Sequence, residues 1–254
     1  MSQAMKGSRI EVLGVGVDPL TVDELHAEIL RLSGKDGLSL VLNANAHCLN
    51  LCYQDAALRD FLNSANLVFC DGVGVMLAAR ILGGRIPQRI TYADWIWSLA
   101  AFAEAEGLSF FFLGASPGVA GEAARRLLER YPGLKIAGAR HGYFDHTVGS
   151  QENAAVVREI NASAPDILLV GLGMPLQERW LMQNREKLNA GVALMGGAVF
   201  DYVSGGLRRG PRLLTDNGLE WLARLLVEPR RLWRRYLVGN PLFLARVLGQ
   251  RFGR

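Results

Sequence analysis

The chain has 254 residues, half of them hydrophobic, three cysteines and a net charge of +4. That apolar content builds one large core or two small ones. An odd cysteine count with no apolar signal core before it points away from a disulfide-framed secreted scaffold, and no run approaches the roughly 20 uninterrupted apolar residues that span a bilayer. A soluble or peripheral protein in a reduced cytosolic setting is expected, with Cys48, Cys52 and Cys70 as small buried thiols.

In chain order, strands are predicted at Ile10–Val17, Leu38–Asn43, Leu67–Cys70, Ser109–Leu113, Leu134–Ala137, Ile167–Gly171 and Val192–Met195. Helical patterns fall at about Val22–Leu32, Ala46–Ala65, Val73–Leu82, Ala93–Glu106, Gly118–Tyr131, Glu152–Ala162 and Gln177–Leu188. Thr21 and Glu24 have the spacing of a capping box for the first helix. Several strands are almost wholly apolar (FFFLG, ILLVG), as strands covered on both faces are. The alternation predicts an α/β fold, a doubly wound, mostly parallel Rossmann-like sheet. Such sheets bind ligands beyond the carboxyl ends of their strands, so the residues just after each strand carry the functional reading.

Asn43 and Asn45, in NANAH, are two short amides on alternate positions, suited to sugar hydroxyls or phosphate and equally to capping a helix. Asp71, followed by Gly72-Val73-Gly74, is placed to be a general base or a helix cap, and spacing does not choose between them. Gly114, Ser116 and Gly118 form a glycine-rich turn opening a helix, where backbone N–H groups meet phosphate. The turn has neither the dinucleotide G-x-G-x-x-G spacing nor a Walker lysine. Gly171 and Gly173 shape another close-approach turn, with Gln177 able to read a base or ribose, and Gly197 and Asp201 follow the last strand. There is no D-x-D triplet and no cluster at metal-ligand spacing, so no metal is expected. Charge on a departing diphosphate then falls to helix N-termini and arginines, with Arg89 the candidate by sequence order and a surface ion pair its plainer role.

The charge is unevenly placed. Gly205–Arg254 holds eleven arginines, no lysine and three acids, a balance of +8 that leaves −4 for residues 1–204. Trp221, Leu222, Leu225, Leu226, Leu232, Trp233, Tyr236 and Leu237 recur at helical spacing between Arg224, Arg230, Arg231, Arg234 and Arg235, behind Arg208 and Arg212. That pattern describes a helix lying on an anionic membrane surface, with aromatic rings suited to the headgroup layer. A helix docked on the core with solvated arginines gives the same pattern. The division expected is a catalytic core at 1–204 and a basic amphipathic appendage at 205–254. A −4 body argues against a nucleic-acid groove, which needs a basic face on the folded domain.

The blocks NANAH (43–47), DGVGV (71–75), FFLGASPGVA (111–120), VGLGMPLQERW (170–180), GGAVFDYVSG (196–205) and the tail RRGPR…GLEWLARLLVEPRRLWRRY resemble, in order and over nearly the whole chain, the WecG/TagA/CpsF family of bacterial glycosyltransferases (family 26). The resemblance implies an inverting, metal-independent enzyme without a cofactor. It would move an N-acetylmannosamine-type sugar or glucose from a UDP-sugar to a polyprenyl-diphosphate-linked sugar, on the cytoplasmic face of the bacterial inner membrane. It implies Asp71 as general base, Asn45 as an active-site amide, Arg89 as a pocket arginine, Gln177 near the nucleotide, and an arginine-rich tail that completes the site at the membrane. The chain departs from the family pattern at Asn43, where members often carry Thr, and at Tyr92, where many carry Gly. A nucleotide- or dinucleotide-binding oxidoreductase or sensor is the alternative from the fold class. The sequence is silent on oligomeric state and compatible with a homo-oligomer.

Overall fold

The computed structural model of the protein describes residues 8–215 and 218–253. The chain opens with an antiparallel hairpin, β1 (Ile10–Val12) and β2 (Val15–Val17). It continues through α1 (Val22–Ser33), β3 (Ser39–Ala44), α2 (Ala46–Gln54), α3 (Ala56–Asn63), β4 (Leu67–Cys70), α4 (Val73–Ile81), α5 (Tyr92–Glu106) and β5 (Ser109–Gly114). Next come α6 (Val119–Arg130), β6 (Lys135–Arg140), α7 (Gln151–Ser163), β7 (Ile167–Gly171), α8 (Leu176–Asn184), β8 (Val192–Met195) and α9 (Val199–Val203). The tail folds as α10 (Arg212–Thr215), α11 (Glu220–Val227), α12 (Pro229–Trp233), a π-helical turn at Arg234–Val238, and α13 (Gly239–Arg251).

Strands β3 to β8 make one parallel sheet in the order β4-β3-β8-β7-β5-β6, flanked by helices, so the fold is the α/β sheet expected. β3, β4, β7 and β8 are buried along their whole length, whereas β6 at the edge alternates intermediate and exposed residues. This is why the apolar runs were legible and Lys135–Arg140 (KIAGAR) less so. No helix among the described residues is long and apolar enough to cross a membrane.

Two local expectations are corrected. The segment Ile10–Val17 is two strands, because Leu13 (φ +53) and Gly14 (φ +80) both turn through the left-handed region. The helix expected over Ala46–Ala65 is broken at Asp55, whose extended backbone ends α2 and whose carboxylate caps α3 by accepting from Leu58 N at 3.1 Å.

The residues sort into two compact units, each assembled from separated stretches. The first takes the chain up to Thr21, Asn43–Thr91 and the chain from Gly210 on; the second takes Val22–Leu42 and Tyr92–Arg209. In the first, Asp18 is 2% exposed and ties the hairpin down, accepting from Val68 N at 2.7 Å and pairing with Arg9 at 3.1 Å. In the second, Phe110, Phe111, Phe112, Leu168, Leu169 and Leu194 form the buried centre.

Candidate active site

In the first unit, β4 delivers Asp71 to its carboxyl end. Gly72, at φ +136, caps α4 with no side-chain hydrogen bond, so Asp71 is not the cap. Asp71 N donates to Ala44 O at 2.9 Å, which joins the ends of β4 and β3. The two asparagines flanking Ala44 then converge on one oxygen: Asn43 Nδ2 donates to Asp71 Oδ2 at 3.1 Å and Asn45 Nδ2 approaches it at 3.5 Å. Asn45 is also the N-cap of α2, its Oδ1 accepting from Cys48 N at 3.0 Å. One side chain thus serves both the helix and the carboxylate. Asn43 is 3% exposed, and its Oδ1 is buried with no hydrogen-bond partner among the described residues.

Charged groups from distant parts of the chain surround this carboxyl. Burial, then the charge of Glu220, pushes the Asp71 carboxyl up to about 6, against the opposing pull of Asn45, Arg235 and Arg224. Arg235 is itself lowered by burial, and its Nε is buried without a hydrogen-bond partner among the described residues. Burial and Arg235 together depress His47 to about 4, so it is neutral at pH 7. Burial, with Asp71 adding to it, pushes the Cys70 thiol up to about 12, which removes it as a nucleophile. Arg89 arrives on the loop after α4: Ile90 N donates to Cys70 O at 2.9 Å, immediately before Asp71. Its guanidinium donates to Thr215 O at 3.1 Å and lies 4.0 Å from Glu220.

The glycine turns belong to the second unit. β5 runs on through α6 to β6 on one side of the sheet, whereas its neighbour β7 runs on through α8 to β8 on the other. The turns after β5 and β7 therefore flank a switch point in strand direction, the place where such sheets take ligands. They are pressed together: a Cβ on Gly114 would meet Gly171 O at 2.3 Å, and one on Gly171 would meet the Phe200 ring at 2.7 Å. Ser116 Oγ lies 3.4 Å from the Tyr143 hydroxyl, and Gly118 (φ +84) heads α6 with open space around its Cα. Gln177 is 1% exposed, and both ends of its amide are engaged. Its Oε1 accepts from Gly173 N at 3.2 Å and Gly197 N at 3.1 Å, and its Nε2 donates to Glu178 at 3.0 Å. Gln177 is thus a brace across two turns. Asp201 lies in the first turn of α9, its carbonyl accepting from Leu207 N at 2.9 Å.

The model of the Glycosyl transferase WecG/TagA/CpsF family matches residues 10–254. A Bacillus spizizenii protein named N-acetylglucosaminyldiphosphoundecaprenol N-acetyl-beta-D-mannosaminyltransferase is 32% identical over 223 residues, covering 88% of this chain and 83% of the relative. A Staphylococcus aureus protein of the same name is 26% identical over 242 residues, 94% of this chain and 92% of the relative. The chain belongs to this family.

The tail of this family member shows two faces. Ala223, Leu232, Tyr236, Phe243 and Val247 are buried, and α13 is pinned by Asn50, which donates to Gly239 O at 2.8 Å and accepts from Arg246 at 2.8 Å. Facing outward are Leu226 (70% exposed), Trp233, Leu237 and Val238, with Arg230, Arg231 and Arg234 exposed among them. The segment is thus docked through one set of side chains and exposes apolar and basic ones with the other. Arg224 pairs with Glu228 at 3.9 Å, and Arg231 pairs with it at 3.1 Å. Arg208 is exposed and belongs to the second unit, and the Arg212 side chain lies outside the described residues. Sequence reasoning missed Glu220 and the Asn50–Arg246 clamp. An acid in the first turn of α11 reads locally as a helix-dipole residue, and no local signal ties it to Arg89.

Proposed function

We propose that the protein transfers a sugar, N-acetylmannosamine or a close relative, from a UDP-sugar to a sugar carried on polyprenyl diphosphate, with inversion at the anomeric carbon and no metal in the step. The observation that carries this reading is the Asp71 carboxyl: a strand-end acid pushed up to about 6, held by two asparagines and within the electrostatic reach of Arg224 and Arg235. A base with a pKa near the working pH combines ionisation at neutrality with a useful pull on a proton. Both asparagine contacts fall on Oδ2, which leaves Oδ1 for the acceptor hydroxyl.

In the step, that hydroxyl gives its proton to Asp71 and its oxygen bonds to the donor's anomeric carbon. The bond from that carbon to the diphosphate breaks, and the electron pair leaves on UDP. Arg89, Arg224 and Arg235 supply positive charge in the unit that holds the base; within the second unit, the glycine turn heading α6 is proposed as a phosphate-binding element on its own geometry. The relatives' names supply the acceptor and sugar class proposed. The exposed apolar and basic side chains of the tail support peripheral attachment to the cytoplasmic face of an anionic membrane, where a lipid-linked acceptor resides.

The deciding experiment offers a panel of UDP-sugars to diphosphate-linked GlcNAc on a short lipid, with and without EDTA, and reads glycolipid by mass. One donor giving EDTA-resistant product is the expected result. Product that requires added metal, or none from any donor, counts against the reading.

A further inference from the structure

Among the described acids of the tail, Glu220 is the one whose charge reaches the base. It begins α11, which puts its carboxylate 4.0 Å from Arg89, and both side chains are less than one-fifth exposed. Arg89 is fixed from two further directions. Its guanidinium holds Thr215 O, at the end of α10, and the loop it sits on is hydrogen-bonded through Ile90 to Cys70, the residue before Asp71. A strand end and the head of the tail thus meet at the Arg89–Ile90 loop, the strand through the Ile90 backbone and the tail through the Arg89 guanidinium, whose carboxylate partner is Glu220.

We propose that Glu220 is a positioning residue for transfer: it holds Arg89 and the head of the tail at the end of β4, and presents a second carboxylate to Asp71. This rests on Asp71 being the base. A like charge beside a carboxyl opposes its ionisation, and Glu220 is the largest charge contribution raising Asp71. The other charged and titratable groups facing the pair are Arg224 on α11, Arg235 on the π-helical turn, and Arg89; His47 on α2 and Cys70 on β4 are uncharged at neutrality. Without Glu220, Arg224 (itself paired with Glu228) and Arg235 would draw Asp71 to ionise at lower pH, and it would be a weaker base. Glu220 offsets part of their pull while occupying Arg89.

The test measures Asp71 in two ways in the full-length chain. Glu220→Gln removes the charge and keeps the shape; the acid limb of the kcat/KM profile is expected to move down by about one pH unit. The carboxyl carbon resonance of Asp71, assigned by its loss in Asp71→Asn, is expected to titrate lower by the same amount. Glu220→Asp, which keeps the charge, is expected to retain the original limb. Should the Gln variant not fold, Glu220→Ser reads the same shift from a smaller side chain. An unmoved resonance in the charge-removing variant overturns the proposal. A resonance that moves while Asp71→Asn keeps full activity supports the Glu220 contact and instead removes Asp71 as the base.

Discussion

Asp71 carries a cost as well as a use. Its carboxyl titrates at about 6 in the folded protein, above the ordinary 3.8. A raised acid contributes its full stability below the unfolded value and loses it as pH rises through the folded one, so ionising Asp71 destabilises the fold between about pH 4 and 6 and above. Asp71→Asn is therefore expected to stabilise the fold at pH 8 by on the order of 3 kcal/mol, read as a higher melting temperature, and to leave it unchanged near pH 3. The same variant should lose about 10²–10⁴-fold in turnover. Near-wild-type turnover by Asp71→Asn would remove it from the chemistry. Wild-type activity should fall below about pH 6 as the base is protonated, read as the acid limb of the rate profile. Gln177 follows a different logic: its amide holds Gly173 N and Gly197 N, so any effect on donor binding travels through the turns it braces.

The strands show what a linear sequence states well. Leu67–Cys70, Ile167–Gly171 and Val192–Met195 were legible to the residue, because a strand buried on both faces is an uninterrupted apolar run bounded by Gly or Asp. The hairpin was not, since Leu13 enters the left-handed region without any residue type that signals it. The break at Asp55 was legible in principle as an Asp heading a new amphipathic run, but the apolar pattern on either side reads as continuous. Of the site, Asp71, Asn43 and Asn45 were visible because they lie at or just after the ends of strands. Glu220 was not, because its meaning depends on Arg89, a residue far upstream. At the turns, Gly114→Ala should destabilise by at least about 2 kcal/mol, since φ +148 disfavours a side chain and its Cβ would overlap Gly171 O; chemical denaturation measures it. On the outer face of the tail, Arg230→Glu with Arg231→Glu and Arg234→Glu should weaken binding to anionic vesicles by several kcal/mol at about 1 kcal/mol per residue near the surface. Co-sedimentation that is unchanged in the triple variant would remove this face as the membrane contact.

At the scale of the molecule, the tail is part of a folded unit rather than an addition to it. Phe243 lies against Gly74 at the start of α4, and Gln250 accepts from Leu13 N at 2.8 Å while donating to Glu11 O at 3.2 Å. Truncation before Gly210 is therefore expected to lower thermal stability and abolish transfer together, and calorimetry would show it; the exposed-face variants above separate membrane binding from folding. The interleaving of the two units also has a consequence for synthesis. The second unit has all its residues once Arg209 has left the ribosome, whereas the first waits for Arg246 and Gln250 to reach Asn50 and the hairpin. Until then a nascent chain carries Asp71 without Glu220, Arg224 or Arg235 in place around it. The order of translation thus delays completion of the Asp71 environment until the segment carrying Glu220, Arg224 and Arg235 has been made.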